Sequence, residues 1–289
     1  MQIILIGTIS GLTLAVIGLG FSLVYLPTRT FHIAMAGVYT LVPYLALDLV
    51  NRGASWWIAV PVCLLAAVLV SVLCELGNHR RLERKHASPG AHIISSLGIY
   101  IVTVQIVALV WGNETQVLRT DIDKIFHLGS VMITRAQLVA GVFSLLLLIT
   151  FYCWLRFSNL GLRFRALADN PTEFSLRGYN VDAYRLLAFG TSGFLACAAS
   201  LLIAYDVGFD PYGGLHIVLL GVVAVIIGGR LSFLGPVLGG LLLGILRSQA
   251  VWYFSARWQD VICFLLLALF LYVRPNGICG TATRLEAEE

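Results

Sequence analysis

Along this chain the apolar positions neither alternate nor recur on one helical face; they run in near-continuous blocks, with polar residues gathered in the stretches between them. A helix that crosses a bilayer needs about 20 mainly apolar residues. On that ruler the blocks at 3–26, 31–49, 56–77, 93–111, 136–155, 183–204, 215–229, 234–246 and 261–273 predict an all-α, polytopic transmembrane helical bundle of about eight or nine spans. The block at 215–229 is short and closes on Gly228-Gly229-Arg230, so it reads either as a span or as a re-entrant or broken helix. Pro43 predicts a kink in the second block. Residues 1–280 read as a single transmembrane domain and 281–289 as a short polar tail.

The polar stretches set the orientation. Residues 78–92 hold Arg80, Arg81, Arg84 and Lys85 against one acid, Glu83, an excess of cations that marks the cytoplasmic side. Residues 112–135 carry Arg119, Lys124 and Arg135 against Glu114, Asp121 and Asp123, a balance that fits the outer side. Nine spans then put the amino terminus outside and the carboxyl terminus inside. The first block has no basic stretch before it and reads as a retained helix, not a signal peptide.

The longest polar interruption, about 156–182, falls on the cytoplasmic side with Arg156, Arg163, Arg165 and Arg177. Within it Asn170 can cap a helix, Pro171 suits the first helical position, and Glu173 stands where a capping-box acid reaches back. Gly178 is the predicted stop. A helix of two turns is unstable alone in water, so this one predicts packing against the bundle or a partner. A solvated basic loop satisfies the same charge rule, and the residues alone leave both readings open.

Composition narrows the chemistry. At 59% hydrophobic and 12% charged, with a mean hydropathy of +0.89, the chain lies outside the range of soluble domains and has the lipid bilayer as its solvent. The net charge of +4 sits in short loops and gives no case for nucleic acid. Cys63, Cys74, Cys153, Cys197, Cys263 and Cys279 are scattered without a CxxC pair and read as small buried apolar residues. There is no GxxxxGK[ST], HExxH or GxSxG, and no carboxylate pair inside one apolar run. No catalytic residue, cofactor-binding site or metal site is therefore expected on this chain. Each histidine reads as an interfacial or hydrogen-bonded residue. Gly235 with Gly239, and Gly240 with Gly244, are small-xxx-small pairs suited to close helix contact, the plainer reading beside a role at a pathway. Phe31-His32-Ile33 with Gly37 and Leu215-His216-Ile217 with Gly221 share one spacing, as corresponding positions of two repeats would.

Three groups of residues carry a resemblance. The first is Gly161-Leu162-Arg163-Phe164-Arg165-Ala166-Leu167-Ala168-Asp169-Asn170 with Leu176-Arg177-Gly178-Tyr179-Asn180. The second is Val225-Ile226-Ile227-Gly228-Gly229 with Gly235-Pro236-Val237-Leu238-Gly239-Gly240, and the third Arg274-Pro275-Asn276-Gly277-Ile278-Cys279-Gly280. With these the chain resembles, over nearly its full length, the permease subunits of the branched-chain amino acid (hydrophobic amino acid uptake) ABC transporter family. The resemblance implies a bacterial inner-membrane permease that works with ABC ATPase subunits, a second permease subunit, identical or homologous, and a periplasmic solute-binding protein. ATP and Mg would then be bound by the ATPase partner. The resemblance makes 156–182 a coupling loop, with Arg165, Asn170, Glu173, Arg177 and Gly178 as its ATPase-coupling residues. It assigns Gly228, Gly229, Gly235, Gly239, Gly240 and Gly244 to helix packing or the pathway, and offers His32, Ala34, Tyr39 and His216 as solute-path candidates. One segment departs: where the family opens its second helix with Asn-x-Ala-His-Gly, this chain reads His32-Ile33-Ala34-Met35-Ala36. That leaves the solute open among branched-chain amino acids, other amino acids, urea and small amides. A stand-alone channel and a purely structural membrane subunit are the rival classes.

Overall fold

The structure is a computed structural model that describes residues 1–119, 124–128, 131–229, 232–274 and 277–279. The expectations at Asp121, Asp123, Arg230, Pro275, Asn276, Gly280 and 281–289 lie outside the described residues. In chain order the helices are α1 (Gln2–Thr28), α2 (Met35–Asn51), α3 (Trp56–Cys74), α4 (Arg80–Arg84), α5 (Pro89–Trp111), α6 (Arg135–Phe157), α7 (Asn159–Asp169), α8 (Pro171–Leu176), α9 (Val181–Asp206), α10 (Gly213–Gly228), α11 (Gly235–Tyr253) and α12 (Gln259–Val273). A two-stranded antiparallel hairpin of β1 (Ile125–Leu128) and β2 (Val131–Thr134) lies between α5 and α6.

Helix α1 is the axis. It is apolar all round and buried almost continuously from Gly11 to Pro27, as a helix with neighbours on every side must be. Helices α6, α9, α10 and α11 pack directly on it, α2 and α3 pack on α9, and α12 leans on α10 and α11. The contact of α1 with α11 is backbone to backbone: a Cβ added at Gly240 would stand 2.8 Å from Ala15 Cα, and one at Gly7 2.8 Å from Ile245 Cα. A Cβ at Gly239 would fall on the Ala224 carbonyl of α10, and one at Gly244 on the Gly11 backbone of α1. Lipid provides no hydrophobic drive between helices, so close packing of this kind holds such a bundle together.

Among the described residues six helical stretches are long and apolar enough to cross a membrane: α1, the run Trp56–Arg84, α5, α6, α9 and Ala256–Val273. Helices α2 and α10 are apolar but shorter, at 17 and 16 residues. The outer helices α3, α5, α6 and α12 turn bare aliphatic side chains outward, among them Leu65, Leu109, Leu146 and Leu269. Water would not stabilise that surface; hydrocarbon does.

Several sequence boundaries move. The stretch 78–92 is not a loop throughout, because α3 continues through a π turn at Glu75–His79 into α4. Buried contacts of Glu75 and His79, described below, hold that extension. Helix α2 begins at Met35, after a turn, and runs on through Pro43. Helix α11 extends to Tyr253, well past the apolar block that predicts it. The segment 215–229 forms one continuous helix, α10. The hairpin is an addition to the all-α expectation, built where Ile125, Phe126, Val131, Met132, Ile133 and Thr134 favour extended backbone.

The bundle has two dissimilar ends. One gathers Met1, Asp206, Asp210 and Arg247. The other gathers Arg29, Arg156 and Arg165, with the Arg80–Asp182 ion pair and α8.

Candidate functional site

At the basic end, local chemistry builds a short rigid projection. Ser158 caps α7 by accepting the Gly161 amide at 2.9 Å. The Asn170 amide closes α7 on Ala166 O at 3.1 Å. The Asn170 side chain then accepts from the amides of Thr172 and Glu173, at 3.1 and 3.2 Å, and so starts α8. One residue thus ends one helix and begins the next. Its amide is already taken, so the predicted capping-box hydrogen bond from Glu173 back to it is absent, and the exposed Glu173 carboxylate has no cap to make. Gly178, at φ +82°, takes the left-handed turn after α8 that an L side chain adopts only under strain.

Phe174 anchors α8. It is buried, stacks on Tyr179 with ring centroids 4.9 Å apart, and meets the edge of Tyr184 at 5.2 Å. Arg163 lies over the Tyr179 ring at 5.0 Å and donates to the Tyr184 hydroxyl at 3.4 Å. That hydrogen bond moves the Arg163 guanidinium further up from its ordinary pKa, so it stays charged. With one face of α8 pinned, Glu173, Arg177 and Leu176, which is 82% exposed, stand away from the bundle. Arg165 differs from Arg177: it is half-buried and lines a cavity between α1, α6 and α7.

A second feature lies at the opposite end. A cavity of about 1150 Å³ opens among α1, α9, α10 and α11, lined by Tyr39, Asp206, Asp210, His216, Arg247 and Trp252 together with aliphatic side chains. His216 Nε2 and Arg247 Nη2 each stand 3.4 Å from Asp260 Oδ1. Asp210 Oδ1 accepts the amides of Tyr212 and Gly213, both at 2.9 Å, and fixes the entry to α10. Of the four predicted solute-path residues, Tyr39 and His216 line this cavity, while His32 and Ala34 lie at the basic end. The two histidines of the shared spacing therefore sit at opposite ends, ahead of and within helices that run in opposite directions.

His32 belongs to a cluster absent from the sequence reading. His32 Nδ1 is 3.4 Å from His79 Nε2, and His79 Nδ1 is 3.2 Å from His92 Nδ1. All three are buried, and Phe189 packs its ring on His32 at 4.7 Å. Each neutral imidazole has one donor and one acceptor, so the chain closes only with tautomers aligned in one direction. One turn before His79, Glu75 Oε1 accepts from Arg185 Nε at 2.7 Å, and Arg185 also pairs with Glu83. Only 75 and 79 are neighbours in the chain; 32, 92 and 185 come from other segments, and no local signal joins them to that turn. Among the described residues no group of histidine, cysteine and carboxylate side chains is arranged to hold a metal.

The glycines of the two motifs are packed. Gly228 and Gly235 meet backbone to backbone across the turn between α10 and α11. Gly277 returns to Gly229, and Cys279 donates its amide to Gly228 O at 2.9 Å. Gly228, Gly235, Gly239, Gly240 and Gly244 thus all stand where an added Cβ would meet the backbone of a neighbouring element.

Comparison with known proteins adds a family. Residues 3–271 match the family model described as branched-chain amino acid transport system, permease component. The chain is 28% identical, over 95% of its length and 93% of the relative's, to the high-affinity branched-chain amino acid transport system permease protein LivH of Escherichia coli strain K12. It is 28% identical to the counterpart BraD of Pseudomonas aeruginosa, over 95% of this chain and 94% of that one. It is also 25% identical to the autoinducer 2 import system permease protein LsrC of Escherichia coli strain K12 / DH10B, over 96% of this chain and 80% of that one. Among solved structures, PsaBC from Streptococcus pneumoniae in complex with Fab aligns with a TM-score of 0.53 at 13% identity, covering 95% of this chain and 91% of that chain, a likeness of fold.

Proposed function

Because the chain belongs to the family of branched-chain amino acid transport system permease components, we propose that it is the membrane permease of an ATP-driven ABC importer in the bacterial inner membrane, moved by a separate ATPase through α8. The observation that carries the coupling role is the build of α8: capped by Asn170, pinned by Phe174, and bare on the face that carries Glu173, Leu176 and Arg177. Such a helix transmits a push as a rigid body, because the covered face cannot move without α7 and α9. ATP bound between partner subunits closes them. Helix α8 follows, and the backbone-packed helices α1, α10 and α11 exchange one packed arrangement for another. In this reading α2, α10 and α11 also span, and with the six long stretches they give nine crossings. A second permease, identical or homologous, covers part of the outward aliphatic surface, and a solute-binding protein delivers to the end with the large cavity.

The solute is a branched-chain amino acid or a related small polar molecule such as urea or an amide. The large cavity supports that class. It sets Arg247 and the carboxylates of Asp206 and Asp210 beside aliphatic walls, groups of both signs that suit a zwitterion with an apolar side chain. The relative named for autoinducer 2 import supports a family of more than one solute.

The test is purification of the tagged chain from its native membrane in mild detergent, followed by reconstitution with whatever remains bound. The expected result is two copies of an ATPase, nucleotide hydrolysis, and uptake that stops without ATP. A chain without ATPase that passes small solutes down a gradient would establish the channel reading instead.

A further inference from the structure

The cavity that Arg165 lines has no part in the function proposed above. It measures about 630 Å³ and opens at the basic end of the bundle, between the last turns of α1 and α6, helix α7 and the residues leading into α11. Its lining divides by chemistry. Arg29, Arg156 and Arg165 supply three guanidinium groups and Asp169 one carboxylate; Leu26, Tyr152, Leu155 and Phe233 supply an apolar floor.

The three arginines converge on one cavity without a salt bridge among them. Among the described residues none has a carboxylate within ion-pair reach, although Arg80, Arg185 and Arg247 at other places each have one. Arg165 Nη2 reaches only the Arg156 carbonyl, at 3.5 Å, and its Nε is shielded from solvent with no acceptor at all. A buried guanidinium N–H without a partner carries an uncompensated loss of hydration, which an incoming oxygen would relieve. Arg29 adds a second sign. It holds the left-handed position after α1 at φ 54°, where glycine is the unstrained residue. The backbone there is kept in a costly conformation that aims an arginine, with its side chain on the cavity.

We propose that this cavity binds the phosphate group of an anionic phospholipid from the cytoplasmic leaflet. The depth fits, because the lining comes from the last turns of two membrane-length helices, where headgroups lie and where tyrosine and arginine are the usual interfacial anchors. The chemistry fits also. Three guanidiniums against one carboxylate leave a net charge of +2 from the lining residues. Guanidinium forks match phosphate oxygens, and the apolar floor takes the start of an acyl chain. Basic pockets between helices on the cytoplasmic side hold lipid headgroups by this combination. A bound lipid would link α1, α6 and α7, the last of which ends on the residue that starts α8.

The test uses the purified complex, stripped of loosely held lipid in detergent. It is then offered phosphatidylglycerol, phosphatidylcholine or millimolar inorganic phosphate, with bound lipid read by native mass spectrometry and stability by melting. The expected result is retention of phosphatidylglycerol over phosphatidylcholine by roughly 30-fold, a factor of about five for each unit of the net lining charge of +2. That preference falls to near unity in the triple variant R29Q/R156Q/R165Q and is only partly kept in R29K/R156K/R165K, which retains the charge without the guanidinium forks. The exposed Arg156→Gln alone, which leaves every packed contact in place, should lower it by roughly fivefold. Equal retention of the two lipids, or an intact R156Q complex with an unchanged preference, would overturn the proposal. Stabilisation by inorganic phosphate with no preference between lipids would overturn the lipid and leave a soluble anion site. None of these readouts depends on transport, so the result stands apart from the proposed function.

Discussion

Arg185 is the side chain whose loss should disturb the bundle most. It is 5% exposed, and its partner Glu75 is 1% exposed. Even paired, Glu75 Oε2 and Arg185 Nη2 have no further partner. Taking one charge from a buried pair strands the other, at a cost of about 3–5 kcal/mol. Arg185→Met should therefore lower the melting temperature in detergent sharply. Glu75→Gln should lower it less, because Glu83 still faces Arg185. The double variant Glu75→Leu/Arg185→Met, with neither charge left, should recover much of the loss. Equal effects of the two single variants would contradict this account of the network. At the same scale, His79→Phe leaves the facing nitrogens of His32 and His92 without their partner. It should cost about 1–3 kcal/mol per buried orphan on the same melting curve.

Among the elements, α8 and the α10–α11 pair make opposite demands. Helix α8 has six residues and depends on its cap and its anchor. Asn170→Ala removes an acceptor shared by two amides and should cost the cap about 1 kcal/mol. The helix frays, and the predicted readout is ATP hydrolysis continuing while uptake falls. Phe174→Ala should act more strongly in the same direction. At the other extreme, Gly239→Ala puts a methyl group on the Ala224 carbonyl and should destabilise by about 1–3 kcal/mol, with loss of monodisperse protein as the measure.

These elements also show how far the sequence could be read. The start of α8 was legible because capping is local: Asn170, Pro171 and Gly178 each act within a turn of their own position. The role of Glu173 as a capping acid was not, because it depended on whether the Asn170 amide was free, and the end of α7 takes it. The apolar blocks located the long helices because lipid imposes length and composition directly. The continuation of α3 into α4 escaped notice, since Glu75 and His79 read as polar residues until Arg185 and His92 meet them from other helices. The split of the solute-path candidates between the two ends had the same origin. His32 and His216 share a local spacing, and only the course of the chain sets them apart.

At the scale of the whole molecule, burial is graded from the inside outward. Helix α1 is covered on all sides, whereas α12 buries only Cys263. A bundle built this way leaves an aliphatic outer layer that hydrocarbon, not water, stabilises. In the proposed cycle that bundle is driven through α8. The most direct measurement places a photoreactive amino acid at Leu176 on the exposed face of α8, with a control at Trp252, which is exposed near the other end. Cross-linking is then carried out in native membranes with and without ATP. The account predicts an adduct to an ATPase from position 176, changed in yield by nucleotide, and none to that subunit from position 252. An ATPase absent from every adduct at 176, in membranes that still accumulate solute in the presence of ATP, would contradict it.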